Sequence, residues 1–203
     1  TGNSNTAAGT NALNKNTTGS YNTAAGVYAL NVNTTGAKNT ASGYEALSSN
    51  TTGFSNTALG TNALNSNTIG SSNTASGEYA LKANTTGSYN TASGRRSLYT
   101  STTGSYNTAS GYEALYKNTG SYNTASGIFA LFNNTTGNYN TSFGSYALEK
   151  NTTGRHNTAI GYGADLTAGA LNNTIAIGYN AKVSSSNTIQ LGNSSIDSVV
   201  TSG

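Results

Sequence analysis

A 17-residue period runs through almost the whole chain and constrains its fold more than any other feature. The unit is shown by Asn107–Gly127, NTASGYEALYKNTGSYNTASG, and its general form is Asn-Thr-Ala-x-Gly-x-x-Ala-Leu-x-x-Asn-Thr-Thr-Gly-x-x. Copies begin at Asn5, Asn22, Asn39, Asn56, Asn73, Asn90, Asn107, Asn123, Asn140 and Asn157, with a single 16-residue step after Asn107, where Asn118-Thr119-Gly120 has lost one threonine. Beyond Asn157 the matching Asn-Thr pairs fall at Asn173 and Asn187, steps of 16 and 14 residues. Units this short cannot fold alone, so they must stack on their neighbours as one elongated array. The opening Thr1-Gly2-Asn3-Ser4 matches the last four places of a unit and reads as a piece of a longer array.

Each unit is too short for a helical hairpin, and its glycine, asparagine and threonine disfavour helix. It suits a β-solenoid coil. The fifth residue is glycine in every copy, from Gly9 and Gly26 to Gly144 and Gly161, which marks a backbone angle or close approach that a Cβ forbids. A second glycine, as in Gly19, Gly36, Gly53, Gly70 and Gly87, follows Asn-Thr-Thr at another corner. Two corners are expected to divide the coil into two short strands. With a rise of about 4.8 Å per coil, about a dozen coils give a rod of roughly 55–60 Å, along which equivalent Asn and Thr residues hydrogen-bond to one another.

Leucine fills the ninth place in nine of ten copies: Leu13, Leu30, Leu47, Leu64, Leu81, Leu98, Leu115, Leu131 and Leu148. One leucine and a few alanines bury little against a backbone ordering cost of about 1–2 kcal/mol per residue. Partner chains are therefore expected to supply the missing surface, and a cyclic homotrimer with the leucine line facing neighbouring subunits is the preferred closure.

The composition narrows the function classes. Charged residues are 7% of the chain and the net charge is +3, so no basic face suggests nucleic acid. Arg95-Arg96 is the only adjacent basic pair. Cysteine is absent, so no disulfide frame or thiolate metal site exists. No hydrophobic run suggests insertion into a membrane.

From Asn173 the chain reads NTIAIGYNAKVSSSNTIQLGN, in which Ile175, Ile177, Ile189 and Leu191 alternate with Ala176 and Gln190, a period-two pattern expected to turn its bulky residues inward. This stretch resembles the head repeats of YadA-like trimeric autotransporter adhesins, whose units of 14 residues carry an Asn-Ser/Thr-(Ile/Val)-Ala-Ile-Gly core like Asn173–Gly178. Asn157-Thr158-Ala159-Ile160-Gly161 is a transitional copy. The resemblance implies a left-handed parallel β-roll, a homotrimer with Ile175, Ile177, Ile189 and Leu191 joining the leucines in its core, and an adhesive surface on a bacterial cell or a virus or phage tail fibre, hence an extracellular place. It divides the chain into residues 1–172, the 17-residue array, and 173–203, adhesin-head-like coils with the start of a stem from Ile196.

No catalytic constellation is visible, and no cofactor or metal site is expected. His156, the only histidine, stands where other copies carry tyrosine, and it lacks the partners a general base needs. Asp165 and Asp197 are the only aspartates, which excludes the acidic turns of calcium-binding β-rolls. The informative variation is aromatic and charged. Tyr28, Tyr44, Tyr89, Tyr106, Tyr112, Tyr116 and Tyr139, with Arg95 and Arg96, are the candidate contacts for a glycan or protein receptor, tyrosine offering a flat apolar face and a polar tip. The alternative is that these rings only cover corners and subunit seams.

The leading expectation is a structural and adhesive fibre segment. Ice binding is a second, because Thr17, Thr34, Thr51 and Thr85 with Thr18, Thr35, Thr52 and Thr86 make a regular threonine line. A glycan-cleaving spike needs paired carboxylates, and Glu45 and Glu113 stand four coils apart, too far to cooperate. The Asn-Thr-Thr corners at Asn16, Asn33, Asn50, Asn84, Asn134 and Asn151 also match the N-glycosylation sequon.

Overall fold

The structure is a computed structural model and describes residues 2–196. The chain is an all-β parallel solenoid with one three-residue strand in nearly every coil. The strands are β1 (Thr6–Ala8), β2 (Thr23–Ala25), β3 (Thr40–Ser42), β4 (Thr57–Leu59), β5 (Thr74–Ser76), β6 (Thr91–Ser93), β7 (Thr108–Ser110), β8 (Thr124–Ser126), β9 (Thr141–Phe143) and β10 (Thr158–Ile160). β11 (Asp165–Leu166), β12 (Ile175–Ile177), β13 (Lys182–Val183) and β14 (Ile189–Leu191) complete the described chain. One 12-stranded parallel sheet runs β1 to β10, then β12 and β14, in chain order, which makes about eleven turns.

Each 17-residue coil therefore has one strand where two were expected. The second side is a series of tight turns, and a second strand forms only where β11 pairs with β13. The reason is the backbone at the seventh, ninth and last places of the unit, where residues take positive φ. Leu13 to Leu148 all have φ between 49° and 53°. For a bulky L-residue this left-handed geometry costs about 1–2 kcal/mol. It also turns the ninth side chain into the coil, where burial of a leucine returns about 1.5–3 kcal/mol.

That geometry overturns the subunit-facing leucines. Leu30, Leu47, Leu64, Leu81, Leu98, Leu115, Leu131 and Leu148 have no exposed surface within the single chain. They stack in one column, beside the alanines of the strand centre, such as Ala41 and Ala92, and those of the eighth place, such as Ala46 and Ala114. Leu13, in the first coil, is partly buried against the same column. The final strands invert the other expectation. Ala176 is buried, whereas Ile177, Ile189 and Leu191 are 40%, 63% and 42% exposed and Ile175 is half-buried, so the bulky residues point outward.

Asparagine closes the corners. Asn22 Nδ2 donates to Gly36 O (2.8 Å), and its Oδ1 accepts the backbone N–H of Asn39 in the next coil (3.0 Å). Asn33 Nδ2 donates both to the same Gly36 O (2.9 Å) and to Asn16 Oδ1 in the preceding coil (2.8 Å). Two asparagine ladders thus meet at one glycine carbonyl in each leucine coil but the one where Ser101 replaces the corner asparagine, and their amides are buried because, Asn84 Oδ1 apart, they are hydrogen-bonded. The second glycine is obligatory for the same reason: a Cβ on Gly36 would strike Asn33 Oδ1 and Gly53 O. The sequon asparagines Asn33, Asn50, Asn84, Asn134 and Asn151 sit in this interior and present no amide to a modifying enzyme.

The shortened coil keeps register because its deletion falls at the corner. Thr108 still pairs with Thr124 and Asn118 Nδ2 still reaches Gly120 O at 2.9 Å. At the end of the array the register differs from the Asn-Thr match. β10 pairs Thr158 with Ile175, and Asn157 Oδ1 accepts the N–H of Thr174. The true step is therefore 17 residues, followed by 14 as Ile175 pairs with Ile189. Asn173 and Asn187 occupy the left-handed place held earlier by Tyr139 and His156. The part of the stem expected beyond Ile196 lies outside the described residues.

Candidate functional site

The last place of the unit precedes the inward asparagine, and its positive φ throws the side chain out of the coil. In four successive coils this residue is tyrosine, and in the fifth it is histidine. Tyr89, Tyr106, Tyr122 and Tyr139 stack with ring centroids 4.9 Å apart at each step and interplanar angles of 7°, 4° and 9°. His156 continues the file on Tyr139 at 5.0 Å and 2°. The separation follows the inter-coil rise, so the ladder imposes the stacking. The four tyrosines are 54%, 49%, 48% and 52% exposed.

Stacking changes what these rings offer. Their faces cover one another, so the surface carries a row of ring edges and phenol hydroxyls in place of the flat faces expected from the sequence. Tyr122 and His156 belong to this file although neither stood among the candidate contacts, and the signal that finds them is their shared place in the unit. Tyr21 occupies the same place but stands alone, because Lys38, Ser55 and Ser72 follow it.

A second aromatic group covers the turn side. Tyr99 stacks on Tyr116 (5.1 Å, 8°) and Tyr116 on Phe132 (5.2 Å, 18°), while Tyr79 and Tyr99 meet edge-on at 83°. Tyr112 meets Phe129 edge-on, and Phe129 also touches Phe132 and Tyr146. Tyr112 and Tyr116 are half-buried here and act chiefly as a cover for the turns. Lys82 lies over Tyr79 and Tyr99, Arg95 over Tyr112 and Lys117 over Phe132, which adds a cation to each ring cluster.

Arg95 and Arg96 do not form a joint basic patch. Arg95 Nε donates to Glu78 Oε2 (2.8 Å) in the coil before, and Arg96 Nη1 donates to Glu113 Oε1 (3.3 Å) in the coil after. The structure separates Tyr28 and Tyr44 from the tyrosine file. Tyr28 lines a shallow groove with Lys15, Asn31, Glu45 and Ser48. The Tyr44 phenol is raised above its ordinary pKa by its hydrogen bond to Glu45 and by that carboxylate's charge.

The first threonine of each corner is already used, whereas the second, as at Thr18, Thr35, Thr52 and Thr86, is exposed. Thr34 Oγ1 donates to Thr51 O, Thr51 Oγ1 to Thr68 O and Thr85 Oγ1 to Thr102 O, each at 3.0 Å. A second outward threonine line lies on the sheet, Thr23, Thr40, Thr57, Thr74, Thr91 and Thr108, at the first place of each strand. Among the described residues, no group of three or more His, Asp or Glu side chains is placed to hold a metal, and no helix is long and apolar enough to cross a membrane. No protein-family model and no curated protein matches this chain.

Proposed function

We propose that this chain is a structural and adhesive segment of an extracellular trimeric fibre, a surface adhesin or a viral tail fibre, that attaches to a host or a surface. The observation carrying this reading is the continuous coupling of coils: one parallel sheet, a leucine column and two asparagine ladders, the corner one interrupted only at Ser101, run through the same rod. Such coupling resists bending and suits a spacer. The exposed tyrosine edges supply a contact surface for a glycan or protein receptor.

Trimerisation is assigned to the outward sheet face near the end of the array, in place of the leucines. Phe143, Ile160, Ile177 and Leu191 follow one another on β9, β10, β12 and β14 and are each 40–46% exposed. Four large apolar residues in adjacent strands favour a covered surface. Analytical ultracentrifugation is expected to give a trimer that dissociates in Ile160→Asp/Ile177→Asp. A stable monomer of the unaltered chain refutes the trimeric part, and failure to bind cells or surface glycans refutes the adhesive part.

Ice binding is the second reading. It rests on the outward sheet threonines Thr23 to Thr108, because the first threonine of each corner spends its hydroxyl on a backbone carbonyl and leaves only the second, such as Thr35 and Thr52, exposed there. Thermal hysteresis that disappears in Thr74→Leu/Thr91→Leu supports it, and ordinary freezing removes it.

A further inference from the structure

The tyrosine file has a chemistry that neither spacing nor adhesion uses. Its phenols are half-exposed, parallel and held one per coil. Each ring leaves the backbone beside an asparagine that is fully buried, as Asn90, Asn107, Asn123 and Asn140 are, so its point of attachment is fixed by the interior ladder. We propose that Tyr89, Tyr106, Tyr122 and Tyr139 form an oxidative cross-linking site, at which a diffusible one-electron oxidant joins phenols of adjacent coils as dityrosine.

Loss of an electron and a proton leaves a phenoxyl radical whose unpaired spin is shared with the ring carbons ortho to oxygen. Two such radicals combine through orbitals directed along the ring normals. Parallel rings 4.9 Å apart point those orbitals at one another. Edge-on pairs such as Tyr79 and Tyr99, at 83°, do not. Holding the partners side by side makes coupling within the chain faster than an encounter between chains, as any pre-oriented reaction is.

The step balances with an external oxidant. Each of two phenols gives one electron to the oxidant and its phenolic proton to water. A carbon–carbon bond then forms between the two ortho carbons. The hydrogens on those carbons leave as protons while the phenol oxygens regain protons, restoring both aromatic rings. Each bridge consumes two equivalents of one-electron oxidant and releases two protons. The product staples one coil to the next on the outside of the rod.

The molecule contains its own controls. Tyr21 is 63% exposed, but its file continues with Lys38 and Ser55, so it has no partner in the next coils. Tyr99 and Tyr116 are stacked but less exposed than the outer file.

The test oxidises the whole chain, as an equal mixture of isotopically heavy and light protein, with persulfate and a photoexcited ruthenium complex, and maps dityrosine-linked peptides by mass spectrometry. Bridges are expected between Tyr89 and Tyr106, Tyr106 and Tyr122, and Tyr122 and Tyr139, within chains of one isotope, with none from Tyr21. The Tyr122→Phe variant keeps the ring in the stack and is expected to lose the last two bridges while keeping the first, with unchanged circular dichroism. Mixed-isotope bridges as the main product overturn the proposal, as do bridges from Tyr21 in equal yield, phenol loss without dityrosine, or a Tyr122→Phe map that leaves the yield unchanged. The outcome does not depend on receptor binding, so it fails or holds apart from the adhesive reading.

Discussion

The coils from β2 to β9 and the last turns, from β11 to β14, carry the same parallel sheet on opposite side-chain plans. In the long array the ninth residue is leucine in left-handed geometry, and the seventh and last places, also left-handed, carry tyrosine, phenylalanine, histidine, glutamate, arginine, lysine or serine, with asparagine only at Asn62. In the last turns those two places are Gly163 and Asn180, and Asn173 and Asn187, residues that accept positive φ at little cost. The leucine kink itself disappears. Asp165 and Lys182 are extended, and Leu166 and Val183, one residue later, become the buried pair. The sheet face changes slightly earlier, from Ser76, Ser93 and Ser110 to Phe143 in the last leucine coil and then Ile160 and Ile177. Strained backbone is thus sustained where a column of identical leucines on both sides rewards it, and the array ends by switching to residues that need no such reward.

Asp165 makes the junction. In the coils before it, the N–H of the eleventh residue donates to a carbonyl of the next coil, as Ser66 N does to Lys82 O (3.0 Å). Lys150 N instead donates to Asp165 Oδ1 (3.2 Å), so the carboxylate replaces a carbonyl that the rerouted chain moves away. Lys182 Nζ lies 3.7 Å from the other oxygen.

The largest expected effect separates the two regions by their glycines. A Cβ on Gly111, where φ is 134°, meets Gly127 O at 2.5 Å and its carbon at 2.7 Å. On Gly178 the nearest backbone atoms are at 3.2 and 3.3 Å. Gly111→Ala is expected to lose about 3–5 kcal/mol, combining left-handed strain with overpacking, and Gly178→Ala distinctly less. Urea unfolding followed by circular dichroism compares them, and equal losses break the distinction. Leu115→Ala should cost about 2–5 kcal/mol by opening a cavity, whereas Ile177→Ala, on the outer face, should leave monomer stability nearly unchanged in the same assay.

Ser101 gives a smaller effect of opposite sign. It stands where other coils have the corner asparagine, and both its Oγ and Asn84 Oδ1 are buried without a partner. Ser101→Asn supplies an amide to Asn84 and an acceptor to Asn118, and is expected to add about 1 kcal/mol. A thermal midpoint that falls would show that the gap is too tight for the amide.

The smallest effect is the pH dependence of the junction. Burial raises the Asp165 carboxyl above its ordinary pKa, and this outweighs the hydrogen bonds from Leu166 and Lys150 and the charge of Lys182. Because the folded value is the higher one, its stabilising contribution is complete below the ordinary aspartate range and is lost as pH rises through the folded value. Asp165→Asn should flatten stability against pH over that interval, and an unchanged profile would assign the dependence elsewhere.

Much of the architecture is legible in the repeat. Glycine at Gly26 and Gly36, asparagine at Asn22 and Asn33 and the absence of helix-forming runs lead to a stacked β coil without further information. The tyrosine file is legible too, once Tyr89, Tyr106, Tyr122 and Tyr139 are aligned at one place of the unit, though the edge-outward presentation is not. The end of the array misleads. The Asn-Thr of Asn173 copies that of Asn157, but hydrogen bonding aligns Thr174 with Asn157, because Gly161 and Gly178 must overlie and the last unit has one more residue before its glycine.

The sequence by itself determines that equivalent residues lie above one another, since a strict period leaves each coil only its copies for neighbours. Which way those residues face is decided by the tertiary structure. The sign of φ at the seventh, ninth and last places is set when a coil closes on the next, and no local preference of leucine or tyrosine favours it. Closure turns the leucines inward and the tyrosines outward because the interior has room for one large side chain per coil, and the ladder of glycine and asparagine backbone contacts leaves no other path.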